Sequence, residues 1–303
     1  MDAKELELIR RYESGVADFD SGDVCSAFNN FLKLQEDQLP PELAHGILHW
    51  IALCYYTLGR YDEAIPLLLR FLEPLREAPD EEKAQSSYLQ ALYQLATSHF
   101  ELGQYEKAID WYEAATKVFG LFAGVDYLET RYNCHLFAAR SYQRVGDHVS
   151  AIRELDASLS VLSNYDNAQR REEMKSIALL DLCLSELETG NIATAEKLLS
   201  KITLDQLHKD VLARYLNVKL HILAETESFQ EMVEVCDELR DRVSHTAYWG
   251  NTRAIVGIAY FNSGQYVDAK KHFESSLSVS PDDDSLVRTV HEYLSLIRNQ
   301  EAS

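Results

Sequence analysis

The chain has 303 residues, 46% of them hydrophobic, with only 12 Gly and 6 Pro and a formal net charge of −20. That length buries a large core either as two compact domains or as one elongated array, and the scarcity of turn formers favours long helices, so the expected class is all-α. The acidic balance argues against a partner held through phosphates, and the five dispersed cysteines, Cys25, Cys54, Cys134, Cys183 and Cys236, lack the close spacing of a zinc site or redox dithiol and read as small packing residues.

The opening stretch "MDAKELELIRRYESG" places acidic residues where a secretion signal has a basic start and an apolar core, and no later stretch has the length of a membrane span. A cytoplasmic chain without membrane insertion is expected. Beyond it the sequence repeats. "LGRYDEAIPLLLRFL" from Leu58, "LGQYEKAIDWYEAA" from Leu102 and "YFNSGQYVDAKKHFESSLSVSP" from Tyr260 each set a Tyr two residues after a Gly, an Ala three further on, and a bulky residue four after that. Aligned on that Ala, the units centre on Ala27, Ala64, Ala108, Ala151, Ala195, Met232 and Ala269, with spacings of 37, 44, 43, 44, 37 and 37. Such self-similarity defines a repeat array of seven units. Gly22, Gly59, Gly103, Gly146, Gly190 and Gly264 precede the aligned residue by five, where a tight turn between antiparallel helices demands a positive φ and a side chain would crowd. The unit around Met232 departs, with Glu227 in the turn.

Seven residues before the turn stand Gly15, Ala52, Ala96, Ala139, Cys183 and Gly257, small enough for a neighbouring helix to approach closely. The long middle units imply helices extended across "LEPLREAPDEEKAQSS", "GLFAGVDYLETR" and "SNYDNAQRREEMKS", with breaks at Pro79, Gly124 and Asn164. After Pro281, "DDDSLVRTVHEYLSLIRNQ" has the acidic start and apolar period of a capping helix over about residues 282–299.

The pattern Gly257, Tyr260, Ala269, Phe273 and Pro281 resembles the tetratricopeptide repeat family, and the resemblance runs from about Leu6 to Ser280, although the usual Trp is replaced by Arg253, Leu48 or Leu92. It implies one superhelical solenoid domain, residues 1–303, of about seven helix pairs with a C-terminal cap. Units of this length are also similar to those of kinesin light chains, polarity adaptors and bacterial quorum-peptide receptors.

The resemblance further implies that the first helix of each pair lines a concave groove. Positions 13, 10, 6 and 3 residues before each turn form one stripe on that helix. The candidate groove residues are Tyr12, Phe19, His49, Tyr56, Tyr93, Phe100, Asn133, Arg140, Ile177, Leu180, Leu184, Leu187, Arg214, Asn217 and His221, with the adjacent Arg144. Family members that hold the acidic C-terminus of heat-shock chaperones use a clamp of Lys, Asn and Arg; Tyr12, Val16, His49, Leu53, Tyr93 and Thr97 stand in its place here, and only Arg214 and Asn217 resemble it.

His45 and His49 in "HGILH" share a helix face but have no HExxH context, and read as groove or surface residues rather than metal ligands. No phosphate-cradling loop, nucleophile elbow or acid–base–nucleophile grouping is recognisable. The expected function is therefore noncatalytic and cofactor-free: an adaptor that binds a peptide or helix of a partner protein through apolar anchors, with Arg140, Arg144 and Arg214 meeting its acidic groups. The alternative is a regulatory receptor whose superhelical pitch responds to a peptide.

Overall fold

The computed structural model describes residues 3–37, 39–77, 86–119, 127–205, 207–244, 246, 248–280 and 283–301. These form fifteen α-helices and no strand, grouped in two compact units, Met1–Asn164 and Tyr165–Ser303. The first unit holds four helix pairs: α1 (Ala3–Asp20) with α2 (Val24–Gln35), α3 (Pro41–Thr57) with α4 (Tyr61–Leu72), α5 (Ser86–Glu101) with α6 (Tyr105–Val118), and α7 (Leu128–Arg144) with α8 (His148–Val161). The second holds three: α9 (Ala168–Glu188) with α10 (Ile192–Leu199), α11 (Lys209–Glu225) with α12 (Phe229–Val243), and α13 (Trp249–Asn262) with α14 (Tyr266–Val279), closed by the capping helix α15 (Asp284–Glu301). This is the all-α repeat architecture that the spacing predicts.

Within each unit the second helix of a pair packs on the first helix of the next, as α4 does on α5 and α12 on α13. First helices also touch one another, α3 with α5 and α5 with α7 in the first unit, α9 with α11 and α11 with α13 in the second. The amphipathic face of α15, carrying buried Leu286, Val290, Leu294 and Ile297, covers the apolar surface that the last pair would otherwise expose.

Inside a pair, the small position seven before the turn and the bulky position nine after it are both buried, and in the first and last pairs they are in close contact. The buried combinations are Gly15 with Phe31, Ala52 with Leu68, Ala96 with Tyr112, Ala139 with Leu155, Cys183 with Leu199, Leu220 with Cys236, and Gly257 with Phe273. Glycine accompanies phenylalanine, alanine accompanies leucine or tyrosine, and in the sixth pair the large and small partners exchange helices. A Cβ on Gly257 would stand 2.8 Å from the Phe273 ring, and one on Gly15 would stand 2.8 Å from the Phe31 ring. The seam is thus filled at nearly constant volume in every pair.

All six turn glycines have φ between 70° and 89°, and Glu227 takes the same conformation at φ 55°. A Cβ on these glycines meets nothing within 4 Å, so the positive φ alone selects glycine and the expected crowding is absent. Each turn closes with two hydrogen bonds of the Schellman type; in the third pair, Gly103 N–H donates to the Phe100 carbonyl and Gln104 N–H to that of His99. The residue after the glycine also begins the next helix, and Asp23 and Asp147 accept from the backbone N–H of Ser26 and Ser150. Those bonds hold both carboxyls below the ordinary aspartate range.

The long units do not simply extend their second helices. α4 ends at Leu72 in a 3₁₀ turn, Glu73–Leu75, and α8 ends at Val161 in another, Leu162–Asn164, after which the extra length appears as a 21-residue α9. Pro79, Gly124 and Pro281 lie outside the described residues.

Gly257→Ala should lower stability by about 1–3 kcal/mol through overpacking against Phe273. Adding Phe273→Leu creates the Ala–Leu combination native to the second and fourth pairs, and the double variant should unfold at a higher urea concentration than Gly257→Ala alone. Additive losses in the two single variants would mean that the seam is not volume-matched.

Candidate binding surface

At 100° per residue, positions 10 and 3 before the turn lie roughly 60–80° round the helix from position 13. That edge of the stripe faces neighbouring helices and is the more covered. In the first unit Tyr12 accepts a 2.7 Å hydrogen bond from Trp50 Nε1, and Phe19 meets the same indole edge-on at 5.5 Å. His49 is buried, bonded through Nε2 to Gln94 Oε1 at 3.3 Å and stacked on Phe71 at 4.7 Å. Burial holds its imidazole far below the usual histidine range, at about 4, so the ring is neutral at pH 7. His49 is therefore a core residue and not part of an open groove. His45 stacks on the same Phe71 ring and donates to the Phe71 carbonyl at 2.8 Å, which explains the paired histidines as a clasp on one aromatic ring.

Tyr56 and Phe100, three before their turns, meet Tyr61 and Tyr105, two after them, edge-on at 5.8 and 5.5 Å; Phe261 and Tyr266 repeat the contact in the second unit. Each such pair contributes about 0.5–1.5 kcal/mol beyond its area, and this is why a Tyr follows the turn glycine in those units. Half-buried Tyr93 packs at 6.2 Å from Tyr112, whose hydroxyl shares a 2.9 Å hydrogen bond with Thr97. Half-buried Arg140 has its guanidinium 5.2 Å from the Phe137 ring, Asn133 is half-buried about two turns earlier, and Arg144 is exposed at the end of α7.

In the second unit Leu180 is fully buried, whereas Ile177, Leu184 and Leu187 on the same helix remain half-buried. Leu180 thus leaves the expected apolar strip and joins the core, because it occupies the covered edge. Arg214 also departs from expectation: it forms an ion pair with Asp181, whose carboxylate is buried in α9. Its charge neutralises that carboxylate instead of waiting for an acidic ligand. Asn217 accepts a 2.9 Å hydrogen bond from buried Thr252. The two clamp-like residues consequently join α11 to α9 and to α13, and His221, one turn further along α11, is exposed.

Among the described residues, a hollow opens on the stripe in each unit. In the first, Ile9, Tyr12 and Gly46 join Leu8, Pro40 and Leu43 around a largely apolar space of 580 Å³. In the second, Asn217, His221, Asn251, Ala254 and Ile258 join Ile255 and the start of α15 around 410 Å³. Both volumes fall within the range of small-ligand or side-chain pockets. The α15 contribution, Asp283, Ser285, Leu286 and Thr289, was not foreseen as part of a site. Its sequence signal is the acid run before the cap, which sets the first turn of α15 against the stripe of the last pair. Asp181 was also missed; an acid in the middle of the apolar run "IALLDLCL" is the signal for a buried partner.

Cys54, Cys134, Cys183 and Cys236 are buried, and burial raises their thiol pKa values, to about 12 for Cys54 and Cys183 and about 11 for Cys236. Cys25, in contrast to the packing role expected for it, is exposed in the first turn of α2. Among the described residues no three His, Cys, Asp or Glu side chains converge as metal ligands, and no helix is long and apolar enough to cross a membrane.

Residues 43–120, covering the second and third pairs, match the tetratricopeptide repeat family. No curated protein matches the chain by sequence. Among solved structures the chain is similar to a tetratricopeptide repeat protein from Parabacteroides merdae, at 14% identity over 95% of this chain and 98% of that one, with a TM-score of 0.64. It is also similar to the apo form of RapI, at 14% identity over 94% and 99% with a TM-score of 0.62. The apo form of the quorum sensor NprR from B. thuringiensis is similar at 12% identity over 97% and 82%, TM-score 0.65. At these identities the likeness is one of fold.

Arg214→Ala strands the Asp181 carboxylate in the core and should cost about 3–5 kcal/mol in urea denaturation, most of which Asp181→Leu in the same chain restores. Acid should also destabilise the protein through His49. Its folded pKa is depressed to about 4, so its contribution is complete above the unfolded value of roughly 6.5 and is lost as pH falls toward 4, by at most about 1.4 kcal/mol per pH unit. Urea midpoints at pH 7 and pH 5 should therefore differ less in His49→Gln than in the native chain.

Proposed function

We propose, from the tetratricopeptide repeat match over residues 43–120, that the chain is a noncatalytic adaptor that holds a peptide or helical segment of a partner protein against the first helices of its pairs. Stacked repeats present extended surfaces suited to such segments. The observation that supports this reading is that stripe positions chosen by helical spacing wall a hollow in each unit, with Ile9 and Tyr12 in one and Asn217, His221 and Ile258 in the other. Half-buried Ile177, Leu184 and Leu187 offer further apolar contact, and Arg140 and Arg144 offer positive charge in the first unit. Apolar anchors supply most of the affinity in this scheme, and the arginines fix the orientation of acidic groups on the ligand.

Panning a random dodecapeptide phage library on the full chain tests the proposal. Selected peptides should lose at least about tenfold in affinity when Leu184→Asp or Ile258→Glu is introduced, the 1.4 kcal/mol expected for losing one apolar anchor. The melting temperature should change little, since both side chains are partly exposed. Binding that survives both substitutions would move the interaction to the second helices. Small-angle scattering with a selected peptide separates an adaptor, whose profile stays constant, from a receptor, whose profile changes on binding.

A further inference from the structure

The charges around the hollow of the second unit are opposite to those the sequence leads one to expect. Arg214, the cation expected there, is committed to Asp181. The described residues lining the hollow include one fixed charge, the carboxylate of Asp283, and neither Lys nor Arg. Glu188 and Glu225 lie within electrostatic reach of His221 on the rim. The N-terminus of α15 adds roughly half a positive charge, but Asp283 and Asp284 bring two full negative charges to the same end, so the negative sign prevails. The floor is apolar, made by Ala254, Ile258 and Leu286.

We propose that this hollow receives a peptide segment in which an aliphatic residue stands beside a Lys or Arg, the aliphatic side chain seated on the floor and the cation on Asp283. The proposal rests on the peptide-binding reading above and supplies the chemistry of one part of the ligand. Asp283 is suited to the role because its side chain is already held in place: one carboxylate oxygen accepts the backbone N–H of Leu286 at 3.0 Å, and its carbonyl accepts that of Val287 at 2.8 Å. An ionised carboxylate has acceptor capacity beyond one bond, so capping the helix leaves it able to bind a guanidinium or ammonium group. The exposed amide of Asn251 and the hydroxyls of Ser285 and Thr289 provide neutral hydrogen-bond partners around the same opening.

The test uses the same dodecapeptide library, panned in parallel on the native chain and on Asp283→Asn. Asparagine is as good a helix cap as aspartate, so this variant keeps α15 and removes only the charge. The native chain should select sequences enriched in Lys or Arg next to Leu, Ile, Val or Met. Asp283→Asn should lose that enrichment and bind the selected peptides about threefold to tenfold more weakly in fluorescence anisotropy. Asp147→Asn, another cap substitution outside the hollow, should keep the enrichment and thereby show that it does not arise from the overall acidity of the chain. A pool enriched in Asp or Glu, or a basic bias that persists in Asp283→Asn, overturns the proposal. Peptides lost with Leu184→Asp but indifferent to Asp283→Asn overturn it while leaving the adaptor reading in place. If no peptide is selected by either chain, both fall.

Discussion

The fit between a small residue on the first helix of a pair and a large one on the second fixes how close the two helices lie, and the rest of each unit is built on that distance. The contact is steric, so it has a narrow optimum: an extra methyl at Gly257 drives a Cβ into Phe273, and one at Gly15 drives it into Phe31. The sixth pair shows that volume, not residue identity at one position, is what the fold requires. Leu220 there occupies the place held by Gly, Ala or Cys elsewhere, and Cys236 replaces the leucine or aromatic opposite it, with both fully packed. A seam maintained in this way lets pairs of different composition stack with the same geometry.

The turn translates that distance into register. With φ positive at the glycine, the chain reverses in few residues and the same short segment terminates one helix and caps the next. Register then determines which side chains meet across the turn, including the edge-on aromatic pairs of Tyr56 with Tyr61 and Phe100 with Tyr105. Glu227 keeps the conformation without glycine, at the cost of a strained backbone, and the two closing hydrogen bonds are still made, from Glu227 to Ala224 and from Ser228 to Leu223. The turn geometry is therefore imposed by the packed pair, with glycine making it easier to reach.

The repeat, its class and the seven pairs were legible because glycine at positive φ and small residues at a tight crossing leave few substitutes, and their spacing survives in the sequence. The binding surface was less legible. Periodicity identifies a face of a helix, but it does not say where on that face the next helix makes contact. His49 and Leu180 belong to the stripe by spacing, and both are buried because they stand on the edge that the neighbouring pair covers. Arg214 was misread for a different reason. A cation on a predicted groove looks available until its partner is known, and Asp181 lies 33 residues away in an otherwise apolar stretch. Long-range pairing of this kind has no local signature.

Stability alone does not explain the Asp181–Arg214 pair. Desolvating two charges costs several kcal/mol, and well-packed apolar residues of similar volume often serve as well or better. What the pair contributes is positional. A leucine in place of Asp181 would accept many orientations of the adjacent helix, whereas a buried carboxylate requires the guanidinium of Arg214 at one place on α11. Asn217 makes a second such demand on α13 through Thr252, three residues along the same helix face. The polar contacts on both sides of α11 thus fix the helix that carries Asn217 and His221 between the helices that flank it. The hollow of the second unit is walled by this helix, α13 and the cap, so its shape depends on those contacts even though neither Asp181 nor Thr252 lines it. Residues that look like ligand contacts in the sequence here act one step earlier, setting the wall against which a ligand would rest.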